Sequence, residues 1–156
     1  MSNEALTLFE NGTAHGLAAI VLFNASAEYG KSIGIADEEV PKFQFNGPCS
    51  LSVFYLIGLS LELQLKAAYV ALGGDCSNAA LRAIGHDLEV ALAKAQELGF
   101  EPSSNQLLEI VGYMNGPYRE HTLRYERPDG HYFPEDIEQI SAIFETLSDD
   151  IKQLLL

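Results

Sequence analysis

Residues 51–72 read LSVFYLIGLSLELQLKAAYVAL, and this stretch decides the fold. Its only charged residues are Glu62 and Lys66, which are four positions apart and therefore share one face of a helix. Unpaired charge is costly to bury, so two ions in such an apolar helix need partners or water. The stretch therefore predicts a core helix that carries polar side chains.

Two later segments supply candidate partners for this pair: GHDL at 85–88 and LRY at 123–125. In one interpretation, Glu62 and Lys66 pair only with each other at the edge of a bundle, which is worth about 0.2–0.5 kcal/mol. In the other, Glu62 accepts a hydrogen bond from Arg124, and Lys66 lies beside Asp87 or a bound anion. The predicted polar cluster comprises Glu62, Lys66, His86, Asp87, Arg124 and Tyr125.

Composition limits the class of protein. The 156 residues are enough for one domain with its own core, so we predict a single domain over 1–156. A net charge of −13 repels a phosphate backbone, which disfavours nucleic-acid binding except for a local RNA contact. Cys49 and Cys76 lack the spacing of a metal site and are expected to be buried free thiols in a reducing cytoplasm.

The absence of clear targeting and membrane signals also favours a cytoplasmic protein. The first twelve residues, MSNEALTLFENG, lack the basic and apolar parts of an export signal, so a cytoplasmic location is expected. Residues 51–72 are long enough to span a bilayer, but Glu62, Gln64 and Lys66 would be costly at its middle. We therefore expect no membrane contact.

Helical periodicity extends over most of the chain, with almost no strand signal. It predicts an all-α fold, an up-and-down bundle of four or five main helices. The predicted helices cover 13–29, 50–72, 86–99, 103–115 and 134–154. Between them, 30–48 is predicted as a loop whose aromatic residues pack on the bundle, and 78–84 as a turn.

Particular residues set the expected helix ends and faces. Ser50 is predicted as the N-cap of the central helix. Pro117 is predicted to kink or break the helix over 103–115. The expected inward residues of the 103–115 helix are Leu107, Leu108, Val111 and Met114. In the first helix, Leu17, Ile20, Val21 and Asn24 share one stripe.

The segment 118–127, YREHTLRYER, concentrates side chains with binding chemistry. Arginine contacts phosphate or carboxylate through two parallel hydrogen bonds, and tyrosine offers a stacking face, so an anionic ligand fits this segment. Alternatively, neighbouring acids neutralise Arg119 and Arg127 while Arg124 points inward. His86, at the start of a helix, is either a structural cap or a general acid–base group. The four histidines have no metal-ligand spacing and no cofactor motif is present, so neither a metal nor a cofactor is predicted.

Several of these features follow one another in an order that is typical of one family of helical domains. The sequence LELQLKA at 61–67 is followed by Gly73-Gly74, by GHDL at 85–88 and by LRY at 123–125. In this order the chain resembles the HEPN superfamily of small helical domains over about 50–150, with the helix and loop of 1–48 packed on that core. The resemblance implies a homodimer. Many members are metal-independent RNases, often toxins paired with a nucleotidyltransferase antitoxin.

Those RNases carry an Arg-x4-6-His motif at the dimer cleft. Here Arg124 and His131 have that spacing, but Tyr125 replaces a polar residue and PDG at 128–130 interrupts the helix. The resemblance therefore favours a non-catalytic dimeric module that binds a protein partner or a small anionic or nucleotide ligand. The alternative is an endoribonuclease with a nucleotidyltransferase-like antitoxin, in which Arg124 stabilises the scissile phosphate and His121 or His131 is the acid or base.

Overall fold

The structure, a computed structural model, describes residues 3–124 and 137–156. In this described part the chain is all-α, as predicted, and has no strand. It contains seven α-helices rather than four or five, together with two short 3-10 helices, Asp37–Glu39 and Thr122–Arg124. The α-helices are α1 Asn3–Ser32, α2 Val40–Asn46, α3 Ser50–Ala71, α4 Asn78–Ile84, α5 Leu88–Glu97, α6 Gln106–Arg119 and α7 Ile137–Leu155.

Helix α3 is the centre of the bundle, and α1, α5, α6 and α7 pack around it. The interior is formed by large apolar side chains from these helices, among them Ile57, Leu61, Leu65, Leu88, Ile110, Met114, Leu147 and Ile151. Helix α1 lies close against α3 because it presents glycines there. A Cβ atom at Gly16 would lie 2.8 Å from the Ser60 hydroxyl, and one at Gly12 would lie 3.1 Å from the backbone nitrogen of Gln64.

Three predicted boundaries are wrong. Helix α1 begins at Asn3, ten residues earlier than expected, because its packing against α3 outweighs the weak helix propensity of Asn11 and Gly12. The expected loop 30–48 contains α2, and the expected turn 78–84 is helix α4. The predicted packing of aromatic residues from 30–48 is confirmed, since Phe45 meets Phe23 with ring centroids 4.9 Å apart.

Helix α6 corrects two further predictions. It continues through Pro117 instead of breaking, because Pro117 lies in the last turn and removes a single backbone donor there. Of the four residues expected to point inward, Leu107, Val111 and Met114 are buried, but Leu108 is 44% exposed. The predicted start of the last helix at 134 lies outside the described residues.

Two smaller corrections concern Ser50 and the cysteines. Ser50 is the first residue of α3 rather than its N-cap, and its hydroxyl donates to the carbonyl of Gly47 over 2.8 Å. Cys49 is partly buried and Cys76 is exposed, so the expectation of two buried thiols is wrong for Cys76. Both thiols are free.

The two longest apolar helices differ in burial. By length and composition alone, α1 and α3 could each cross a membrane. The apolar window of α3 is 67% buried inside the fold, as a core helix should be, whereas that of α1 is only 28% buried. Leu17 and Val21, from the stripe noted in the sequence, are 62% and 58% exposed, while Phe9, Ala19 and Phe23 form the buried face of α1.

Candidate functional site

The carboxylate of Glu62 lies at the centre of a buried polar site. One oxygen, Oε1, accepts a hydrogen bond from Lys66 Nζ over 2.6 Å. The other, Oε2, accepts from the Tyr118 hydroxyl over 2.6 Å and lies 2.9 Å from His86 Nδ1. Helices α3 and α6 and the turn before α5 therefore meet at one carboxylate.

These contacts keep the carboxylate ionised. Burial alone raises the pKa of Glu62, but the hydrogen bonds from Lys66, Tyr118 and His86, with the charge of Lys66, together lower it below its ordinary 4.5. An ionised carboxylate only accepts, so His86 Nδ1 carries the hydrogen of this contact. The contact thereby fixes the orientation of the His86 imidazole, with Nδ1–H directed at Glu62.

Lys66 connects this site to the turn before α5. Its Nζ also donates to the backbone carbonyl of Gly85 over 2.8 Å. Gly85 has φ +65°, a left-handed conformation that side-chain-bearing residues rarely adopt, and it ends α4. The turn at Gly85 places the following residue, His86, over the end of Glu62.

A glycine in α3 brings Tyr118 to the same carboxylate. Gly58 lies one turn before Glu62, and a Cβ atom there would overlap the ring of Tyr118. Tyr118 is fully buried on α6, and its ring also packs against Tyr55 and His86, each with centroids 5.8 Å apart. Because Gly58 has no side chain, the ring of Tyr118 can lie directly against α3 and its hydroxyl can reach Glu62.

Beside this centre, Asp87 joins the start of α5 to the end of α6. Its carboxylate caps α5 by accepting from the backbone N–H of Val90 over 3.0 Å, and it pairs with Arg119 Nη1 at 3.2 Å. Burial raises the pKa of Asp87, but the hydrogen bonds from Val90, Arg119 and Asn115 lower it below 3.8. In return, Asp87 and then Glu120 raise the pKa of Arg119 above its ordinary value.

Asn115 completes the connection between α5 and α6. Its side chain is buried, accepts from the backbone N–H of Leu88 over 2.7 Å and donates to Glu89 over 2.9 Å. It satisfies one of the donors that every helix leaves free at its N-terminus. The position of His86, two residues before Leu88, is therefore fixed from both sides.

Two imidazoles lie at the outer edge of the site. The side chain of His86 is 43% exposed, and its ring meets that of His121 edge-on, with centroids 4.9 Å apart. His121 follows the end of α6 and has φ +60°, and among the described residues it is the non-glycine residue with positive φ. Because His86 Nδ1 faces the carboxylate, its Nε2 lies on the opposite side of the ring.

The structure brings most of the predicted cluster together, with different partners. Glu62, Lys66 and His86 meet directly, but Lys66 bonds to Gly85 rather than to Asp87, which pairs with Arg119. The expected bond from Arg124 to Glu62 stays a prediction, because the structure describes only the backbone of Arg124, at the end of the 3-10 helix Thr122–Arg124. Tyr125 and His131 lie outside the described residues.

Sequence reasoning missed Tyr118 and Asn115 as members of the site. The signal for Asn115 was an amide on the inward face of an apolar helix, where a polar side chain needs partners. The signal for Tyr118 was weaker, since it depends on the space above Gly58 in another helix. Within 3–124 and 137–156, no group of three or more His, Cys, Asp or Glu residues is placed to hold a metal ion.

No protein family, curated protein or solved structure matches the chain. The resemblance to HEPN domains therefore stays a prediction.

Proposed function

We propose that the chain is a non-catalytic, HEPN-like helical module that acts as a cytoplasmic dimer and binds an anionic group. The anion is a phosphate or carboxylate, carried by a small nucleotide-like ligand or by a protein partner. His86 is the central contact, and His121 lies beside it. Arg119 is held by Asp87, the neighbour of His86 in the chain.

The contact between Glu62 and His86 carries this proposal. A buried, ionised carboxylate holds the Nδ1 edge of a half-exposed imidazole, so Nε2 is presented in a fixed orientation and donates to the anion when the ring is an imidazolium. A preorganised side chain loses little entropy when a ligand binds, and a hydrogen bond to a charged group is stronger than a neutral one. The three donors on Glu62 fit a scaffold that aims His86.

The charge balance disfavours catalysis and leaves the imidazoles as the contacts for an anion. Phosphoryl or acyl chemistry needs positive charge or donors aimed at the charge that develops in the transition state. Lys66 is buried and bonded to Glu62 and Gly85, and Arg119 pairs with both Asp87 and Glu120. The two described cations of the site are therefore already balanced by carboxylates.

The test is a titration with inorganic phosphate and with AMP, in which the histidine side chains are followed by NMR at about pH 6, where an imidazole is largely protonated. The His86 and His121 resonances should move together and saturate, whereas those of His15 on α1 should stay. Saturable binding should be lost in His86→Gln and kept in the matched control His15→Gln. If His86 and His121 do not respond, or if all histidines respond alike, the proposal is wrong.

The second candidate is a metal-independent endoribonuclease that is controlled by a nucleotidyltransferase-like antitoxin. The observation that favours it is the pair of imidazoles 4.9 Å apart, one of them oriented by a buried carboxylate. Such a pair suits general acid–base chemistry, with His121 as the acid or base. In this function Arg124 would stabilise the charge on the scissile phosphate.

Cleavage of RNA by the purified protein in EDTA separates the two candidates. The comparison uses the wild type with His121→Ala, Arg124→Ala and His131→Ala, and with His15→Ala as the control, after circular dichroism has shown that each variant is folded. Cleavage that is lost in these variants and retained in the control would establish the nuclease. Absence of cleavage by the wild type would remove this candidate.

A further inference from the structure

One side of α1 exposes an uncharged, apolar surface. Residues 11–27 contain no Asp, Glu, Lys or Arg, although a fifth of the chain is charged. The exposed residues on this side are Ala14, Leu17, Ala18, Val21, Asn24 and Ala25, which together we call the α1 face. A helix on the surface of a globular protein ordinarily turns charged residues outward, so an exposed apolar face indicates a missing partner.

The chain has a second long uncharged run, and it behaves differently. Residues 43–61 also lack these four residue types, but they run into α3, whose side chains are largely buried. The fold itself therefore covers that run. The α1 face is the comparable run that the described fold leaves uncovered.

A groove extends the α1 face towards α7. It has a volume of about 600 Å³ and is lined by Leu17 and Ile20 of α1, Phe144 of α7 and Gln64 of α3. The α7 side of the groove also carries Glu145, Asp149 and Lys152. Gln64 does not need a ligand, because its amide bonds to Ser60 and Ser148. Leu17 lies on both surfaces, so a partner that covers the face also reaches the groove.

We propose that the α1 face is the contact between two copies of this chain, paired with their α1 helices antiparallel. Each copy carries a net charge of −13, so two copies repel each other wherever charged surfaces meet, and the uncharged face is the place where they can approach. A two-fold contact must be self-complementary, and small alanines between Leu17 and Val21 allow two such helices to lie close.

The charges at the ends of α1 favour the antiparallel arrangement. The first turn carries Glu4, and the last turn carries Lys31, which lies 3.8 Å from Asp37 of its own chain. Antiparallel pairing places the Lys31 end of each helix at the Glu4 end of the other and also opposes the helix dipoles. An anionic membrane is a poorer occupant, because residues 11–27 offer it no cation.

The length of α1 limits how much area the α1 face alone can bury. The uncharged part of α1 is about 26 Å long at 1.5 Å per residue. A stable interface buries about 800 Å² on each partner, so the contact needs the groove beside α7 as well as the helix face. This inference rests on the dimeric part of the proposed function and not on its anion-binding part.

Sedimentation equilibrium of the full chain tests the inference. The wild type should show twice the 17.0 kDa mass of one chain. Leu17→Glu and Val21→Glu each bury a charge at the contact and should weaken the dimer about 100-fold or more. Leu108→Glu, at an exposed leucine of α6, is the matched control and should leave the mass unchanged.

Three results would overturn the proposal. A wild type that is monomeric at about 100 µM removes the dimer. A dimer that survives both α1 substitutions places the contact on another face. A monomer that binds anionic phospholipid vesicles through Leu17 assigns the face to a membrane surface. The phosphate titration reports on anion binding separately, so either part can fail alone.

Discussion

Helices α3 and α1 look alike in sequence and have different roles in the fold. Each is long and apolar enough to cross a membrane. Helix α3 carries the charged pair Glu62 and Lys66 and is nevertheless the buried one, whereas α1 has an uncharged middle and is largely exposed. Mean hydropathy therefore does not reveal which of two such helices forms the core.

The size of the side chains explains the difference. Where α1 meets α3 it presents Gly12, Gly16 and Ala19, because a close approach of two helices requires small residues. Its larger residues Leu17 and Val21 then face outward. In α3, by contrast, burial extends around most of the helix, so its two charges must find partners on other elements.

The largest predicted effect is at the centre of α3. Glu62→Gln leaves the ammonium of Lys66 buried without its counter-charge, which should lower the free energy of unfolding by about 3–5 kcal/mol. Urea denaturation measures this loss. Glu109→Gln, on the exposed side of α6, should stay within about 0.5 kcal/mol of the wild type.

The pH dependence of the same variant shows whether charge is the cause. The pKa of Glu62 is lower in the folded state than its ordinary 4.5, so its contribution is present above about pH 4.5 and is lost as the pH falls through the lower, folded-state pKa. The difference in stability between wild type and Glu62→Gln should therefore shrink on acidification. A difference that is equal at pH 7 and pH 3 would mean that packing, not charge, dominates.

The sequence predicted those parts of the site that depend on spacing along one helix or at one helix start. Glu62 and Lys66 are four residues apart, and His86 and Asp87 stand at the start of α5, so their roles could be read locally. The partner Tyr118 could not be read in this way. It reaches Glu62 only because α6 lies against Gly58, which is a fact of tertiary packing.

The errors in the fold have the same origin. The expected start of the first helix at residue 13 used the spacing of apolar residues, and the expected break at Pro117 used local propensity. Packing against α3 extends α1, and the position of Pro117 in a last turn makes it harmless. The all-α class itself depended on periodicity over many residues, and it was correct.

Two glycines give the next smaller effect and test how α3 is packed. Gly58→Ala should lower the free energy of unfolding by about 1–3 kcal/mol, because the added methyl group would overlap the ring of Tyr118. Gly112→Ala on α6 meets nothing within 4 Å. It should stabilise the protein by up to about 1 kcal/mol through helix propensity. Thermal unfolding of both variants measures these two changes. Equal shifts of the two melting temperatures would contradict the packing of Tyr118 on Gly58.

The smallest predicted effect on folding is on the exposed side of α1. Leu17→Glu should change the free energy of unfolding of the isolated chain by no more than about 0.5 kcal/mol, because Leu17 already contacts water. The measurement is urea denaturation at a protein concentration low enough that sedimentation shows a single chain. If Leu17→Glu instead costs as much as Glu62→Gln, then the exposed side of α1 belongs to the folding core of a single chain. In that case α1 and α3 would both be core helices, and their difference in burial would not reflect a difference in role.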